Sequence, residues 1–157
     1  ALQFAYYADP QPPVLRKPLT DSPGPWTTYG PRPPAADVQT TSYPPGENCV
    51  FVSSGTAMPA PRLAALGDGT GLVRLSAAQL TDGPWCPDQS APDRFDADLL
   101  RIRRVAVTVR VQSAVAALRG PAGVLFAHAG SATNANRYVP DIEVRLDVSP
   151  RNLAPGR

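Results

Sequence analysis

Two stretches of alternating sequence decide the fold of this chain. Residues 99–112 read Leu-Leu-Arg-Ile-Arg-Arg-Val-Ala-Val-Thr-Val-Arg-Val-Gln, and residues 138–152 read Tyr-Val-Pro-Asp-Ile-Glu-Val-Arg-Leu-Asp-Val-Ser-Pro-Arg-Asn. Apolar and polar side chains alternate in both, which is typical of strands with one buried face. We therefore predict that 104–112 and 141–149 pair antiparallel. The side chains predicted to point inward are Val105, Val107, Val109, Val111, Ile142, Val144, Leu146 and Val148.

The charged side chains of these stretches support the predicted pairing. Arg104 and Arg110 would lie near Glu143 and Asp147 on the outward face. Opposite charges across a ladder stabilise it by roughly a few tenths of a kcal/mol each. The arginines at positions 101, 103 and 104 are accordingly interpreted as solvated or paired strand residues.

The same residues resemble a known family. The strand Ile-Arg-Arg-Val-Ala-Val-Thr-Val-Arg-Val at 102–111, followed by a loop and the terminal strand at 139–152, resembles the C-terminal end of minor pilins and pseudopilins of the PilW-like or GspJ-like type. The opening residues 2–9, Leu-Gln-Phe-Ala-Tyr-Tyr-Ala-Asp, resemble the first head-domain strand of these proteins. The family's cleavage site and long N-terminal helix do not occur in these 157 residues. The resemblance therefore concerns the head domain.

The resemblance implies a structural subunit of a type IV pilus-like filament or of a type II secretion pseudopilus, located in the periplasm or outside the cell. Its partners would be other pilin or pseudopilin subunits. Such heads pack their sheet on a long helix, so a head alone would expose the apolar face that the helix covers. Leu2, Phe4 and Tyr6 are the residues expected to form this interface with a helix, which a separate chain could supply.

Composition indicates one exported, mainly β domain over residues 1–157. The chain has 20 prolines and 12 glycines, which leave little room for long helices and require extensive loops. We expect an antiparallel sheet of the α+β pilin-head kind, with one or two short helical turns. The net charge of +2 lacks the dense basic stripe that nucleic acid requires. Residues 113–130 are too short and too polar to span a membrane.

Cys49 and Cys86 are the only cysteines. An even count in loops rich in proline, glycine and asparagine suits a disulfide in an oxidising compartment. Two buried free thiols are the alternative. A metal site would need more ligands than His128 could add, so no metal or cofactor is expected.

Two long loops are predicted. We interpret residues 10–46 as an ordered proline-rich loop anchored by Trp26, Tyr29 and Tyr43, although a flexible linker or a polyproline ligand has the same composition. Residues 113–137 separate the two long strands and end in a tip of small polar residues. Because a structureless loop of this length is unusual, part of it should fold back on the sheet or dock on a partner.

Short motifs predict turns and caps. The glycine-rich tract at 67–71 lacks the spacing of a phosphate-binding loop and indicates a turn, and Ser76 to Gln79 fits a capping box. Asp93, Asp96 and Asp98 raise the question of calcium, but aspartates at helix starts usually cap backbone amides.

No catalytic residue is predicted. The single histidine, His128, lies among small residues without a nucleophile or carboxylate relay nearby in sequence. We therefore expect a protein that is not an enzyme and that acts through its surfaces. The alternative function is a free-standing secreted adhesin that binds carbohydrate or protein through its proline-rich and aromatic loops.

Overall fold

The computed structural model of the chain describes residues 1–13, 33–53, 59–133 and 137–150. It is mainly β with antiparallel sheets and no long helix among these residues, as the sequence predicts. The described ranges contain eight strands: β1 (Leu2–Ala8), β2 (Phe51–Val52), β3 (Ala60–Pro61), β4 (Val73–Leu75), β5 (Trp85–Cys86), β6 (Phe95–Asp96), β7 (Ile102–Val111) and β8 (Ile142–Val148). Two 3-10 helices span Ala97–Arg101 and Ala116–Leu118.

The strands form one larger sheet and two small ones. The four-stranded sheet has the order β4-β1-β7-β8, while β2 pairs with β3 and β5 with β6. Ala1 and Arg110 exchange both backbone hydrogen bonds, at 2.7 and 2.8 Å, which is the signature of a directly opposed antiparallel pair. β7 and β8 are neighbours as predicted, and the Arg110–Asp141 ion pair at 2.8 Å places the start of β8 beside the end of β7.

Two compact units share the chain. One comprises Ala1–Ala5 with Ala106–Val148, and the other comprises Tyr6–Val105 with the C-terminal residues from Ser149. We call them the sheet-end unit and the disulfide unit.

The disulfide unit contains the main core. Its buried residues, which we call the disulfide core, are Cys49, Val50, Phe51, Leu63, Cys86 and Ala97. Cys49 and Cys86 are bonded, with Cα atoms 5.2 Å apart, so the predicted disulfide is confirmed. Tyr43 packs against this core and donates its hydroxyl to the Trp85 carbonyl at 3.0 Å. Trp26 and Tyr29, the other predicted anchors, lie outside the described residues.

A buried arginine holds the disulfide unit together. Arg101 ends the first 3-10 helix and is only 1% exposed. Its guanidinium donates to the carbonyls of Asp9, Pro10 and Ala64 at 2.8 to 3.0 Å and to the Asp98 carboxylate at 3.3 Å. The interpretation of Arg101 as a strand residue is therefore wrong, because Arg101 lies in a 3-10 helix. The expectation that it is paired is confirmed by its ion pair with Asp98.

The predicted turns form with the expected side chains. Gly67, Gly69 and Gly71 all adopt positive φ values of 59° to 79°, which favour glycine. Ser76 and Gln79 cap each other: the Gln79 side chain accepts from the Ser76 backbone at 2.9 Å, and the Gln79 backbone donates to the Ser76 hydroxyl at 3.2 Å. The capping box is thus confirmed.

Candidate functional site

One face of the sheet-end unit is covered by the chain itself. Arg110 donates to the Asp141 carboxylate and to the Val124 carbonyl. Gln112, the residue directly after β7, donates to the His128 carbonyl at 2.8 Å. The segment between β7 and β8 therefore folds back over this side, as expected for part of residues 113–137. Phe126 is buried there and meets the Tyr138 ring edge-on at 5.5 Å.

Asp141 is the anchor of this covered side. Its carboxylate is almost fully buried and accepts hydrogen bonds from Arg110 and from the Ala127 backbone at 2.7 Å. Burial acts to raise the pKa of Asp141, but the hydrogen bonds and the Arg110 charge outweigh it, so this pKa lies below its usual value. The sequence places Arg110 near Glu143 or Asp147; in the structure it pairs instead with Asp141, on the same side of the strand.

The opposite face of the same strands is open. Antiparallel pairing of Ala1 with Arg110 puts Leu2 and Phe4 on the side of Val107, Val109 and Val111, because opposed residues share a face. Arg110 and Asp141 share the covered side, so the apolar residues of β8 lie on the other one. We call this surface the open face; its residues are Leu2, Phe4, Val107, Val109, Val111, Ile142, Val144, Leu146 and Val148.

The exposure of this surface corrects a prediction. The alternation predicts that the valines of β7 and the apolar residues of β8 point inward, yet Ile142 is 63% and Val111 is 56% exposed, and all seven residues of β8 are exposed. Val107 and Val109 are only half-buried, and the residue of β7 most buried in this unit is Ala106, on the covered side. The alternation identifies the two strands correctly. It also predicts that their apolar face is buried, but no described residues cover that face.

The predicted helix-interface residues divide between two environments. Leu2 and Phe4 are exposed on the open face, at 60% and 48%. Tyr6 belongs to the disulfide unit and is half-buried, packing with Val105 against a small cluster around Leu75. Their role as an interface remains a prediction.

A cluster of carboxylates lies in the disulfide unit. Oxygens of Asp82, Asp96 and Asp98 all lie within 4.8 Å of one another. Asp93, which the sequence groups with the last two, is not part of this cluster. Asp96 accepts hydrogen bonds from the backbones of Gly83 at 2.7 Å and Asp98 at 2.8 Å, so it caps the first 3-10 helix.

Asp98 is the electrostatically unusual member. Burial raises its pKa to about 6, the neighbouring Asp96 and Asp82 charges act in the same direction, and Arg101 partly opposes the rise. Protein donors occupy both oxygens of Asp96 and one oxygen of Asp98. The capping interpretation is therefore confirmed for Asp96.

Two further observations bear on function. Comparison of the chain with protein-family models, with curated proteins and with solved structures gives no match. Among the described residues, no helix has the length and hydropathy needed to cross a bilayer.

Proposed function

We propose that this chain is the head of a structural subunit of the minor pilin or pseudopilin kind, which works through protein–protein contacts and not through a reaction. The observation that carries the proposal is the open face. Contiguous apolar surface of this kind, exposed to water, marks an interaction site. The disulfide suits the periplasm or the cell exterior, where such filaments assemble.

The dimensions of the open face fit one α-helix. Neighbouring strands lie about 4.8 Å apart, so β1, β7 and β8 present a surface roughly 10 Å wide between the outer strand axes, close to the diameter of a helix. The seven residues of β8 extend for about 23 Å, which corresponds to about 15 helical residues. The occupant is therefore an amphipathic helix of about four turns with apolar residues at i, i+3, i+4 and i+7.

Peptide binding tests the site. An 18-residue synthetic peptide with leucine and alanine on one helical face and alternating glutamate and lysine on the other is titrated into the protein and followed by fluorescence anisotropy. A peptide of the same composition in scrambled order is the negative control. The amphipathic peptide should bind and become helical by circular dichroism, whereas equal binding of both peptides would contradict the proposal.

Two matched substitutions locate the binding. Val111→Glu places a charge on the open face, and Val124→Glu makes the same change at a residue that is 94% exposed but lies in the folded-back segment. Val111→Glu should weaken peptide binding about tenfold or more, because a charge would have to be desolvated under the helix. Equal binding by the two variants would overturn the assignment of the face.

The genetic context tests the biological role. We expect a prepilin-type cleavage motif and an apolar helix to be encoded ahead of Ala1 or in a neighbouring gene. An ordinary signal peptide with no helical neighbour would favour the adhesin alternative, most of whose aromatic loop lies outside the described residues.

A further inference from the structure

The outer edge of the four-stranded sheet is a long strand that carries charges of both signs. β8 ends the sheet order, and no described strand lies beyond it. Natural edge strands are kept from pairing by shortness, charged side chains, prolines or bulges. β8 has seven residues, all exposed, with neither lysine nor proline among them. The opposite edge, β4, has only three residues.

The charges on one copy of β8 are complementary to those on a second, antiparallel copy. Glu143 and Arg145 alternate with apolar residues on the covered side of the sheet. In an antiparallel pair of two β8 strands centred on Val144, Glu143 of each chain lies opposite Arg145 of the partner subunit. The same register places Asp141 of each chain opposite Asp147 of the partner subunit, but Asp141 already forms an ion pair with Arg110 in its own chain. Opposed residues share a face, so this arrangement forms two ion pairs and keeps both open faces on the same side.

Other arrangements are less favourable. A parallel in-register pair would place like charges opposite each other, as would an antiparallel pair centred on Arg145. Centring on Leu146 would use Asp147, which already has an interaction within its own chain. Glu143 and Arg145 are thus the charges best placed for the contact.

We propose that two copies of this chain associate through β8, antiparallel and centred on Val144, to make one continuous sheet. A twofold contact of this kind is closed, so association stops at the dimer. The contact uses the strand edge and not the open face, so it does not depend on the proposed function. Backbone hydrogen bonds supply attraction, and the two ion pairs set the register.

Charge reversal with rescue in trans tests the contact. Glu143→Arg and Arg145→Glu should each weaken the dimer about tenfold or more, because each places two like-charged pairs across the ladder. An equimolar mixture of the two variants should restore dimers, since the two arginines of the first variant would then face the two glutamates of the second. Sedimentation velocity of the full chain up to about 1 mM measures all three samples.

Controls separate this contact from others. Arg74→Glu makes the same charge change on β4 and should leave dimerisation unchanged, as should Val111→Glu on the open face. Amides of residues 142–146 should exchange more slowly with solvent as protein concentration rises. A chain that stays monomeric to about 1 mM, dimers insensitive to both reversals, or a mixture that stays monomeric would each overturn the proposal.

Discussion

The disulfide core and the open face contain similar residues in opposite environments. Val50 and Phe51 are fully buried beside the disulfide, whereas Val144 and Leu146 are about half exposed on β8. The difference lies in what each unit has to cover its apolar side chains. The disulfide unit closes on itself through a covalent bond and a buried arginine, while the long loop of the sheet-end unit covers the polar side of the sheet. Apolar patterning therefore predicts that a surface needs to be covered, but it does not predict whether the same chain or another chain covers it.

Removing the buried arginine should give the largest effect. Arg101→Met keeps the length of the side chain but leaves the carbonyls of Asp9, Pro10 and Ala64 without their donor and Asp98 without its cation. The free energy of unfolding should fall by about 3–5 kcal/mol in urea titrations. Arg74→Met at an exposed position should change it by less than about 0.5 kcal/mol. Similar decreases in the free energy of unfolding of both variants would show that the hydrogen bonds of Arg101 do not stabilise the protein.

Breaking the disulfide should have the next largest effect. The double substitution Cys49→Ala with Cys86→Ala opens a loop with 37 residues of sequence separation. Stability should fall by about 3–4 kcal/mol on the chain-entropy account. Peptide binding by the open face, measured in the absence of denaturant, should change little, because the face belongs to the other compact unit. Loss of binding in a folded double variant would contradict this separation.

A matched pair of valines compares the two regions directly. Val50→Ala in the disulfide core should cost about 2 kcal/mol or more, because it leaves a cavity among fully buried neighbours. Val144→Ala on β8 should cost less than about 0.5 kcal/mol, since water already reaches the side chain. Both are measured by urea unfolding at micromolar protein concentration. Equal costs would mean that the open face is covered in solution.

The smallest effect concerns pH. The folded-state pKa of Asp98 is about 6, above its value in an unfolded chain, so folding disfavours the ionised carboxylate. This group's contribution to the free energy of unfolding should decrease as pH rises from about 4 to about 6. The full pKa difference corresponds to about 3 kcal/mol, and solvent screening reduces the expected decrease to about 1–2 kcal/mol. Asp98→Asn should remove that part of the pH dependence while keeping an oxygen for Arg101. A variant with the same pH profile as the parent protein would contradict the raised pKa.

Sequence patterns predicted the local elements well. The period-two alternation identified β7 and β8, the two cysteines indicated their own pairing, and Ser76 with Gln79 indicated a capping box. The strands and the capping box depend on residues close together in sequence, and two cysteines can form only one intramolecular disulfide. They could therefore be predicted from the chain alone.

The missed features depend on tertiary packing. Arg101 lies in a run of arginines that resembles a solvated strand. Nothing in that run indicates that the carbonyls of Asp9, Pro10 and Ala64 converge on it. Asp141 as the partner of Arg110, and Asp82 in place of Asp93 in the carboxylate cluster, are likewise set by how loops fold back. The sequence does indicate that the long loop at 113–137 must pack against something, but it does not indicate which side of the sheet the loop covers.

The order of strands in the sheet also constrains how the protein folds. β1 lies between β4 and β7, and the residue just before it, Ala1, pairs with Arg110, 109 positions later in the chain. The apolar β1 segment therefore remains without β7, its neighbour in the sheet, until about 100 further residues have been synthesised and released. Contacts of such long sequence separation carry a large loop-closure cost and are typical of slow folding on the millisecond-to-second scale. The interval before β7 arrives is when this segment is most exposed to aggregation, and when a chaperone would have most to protect.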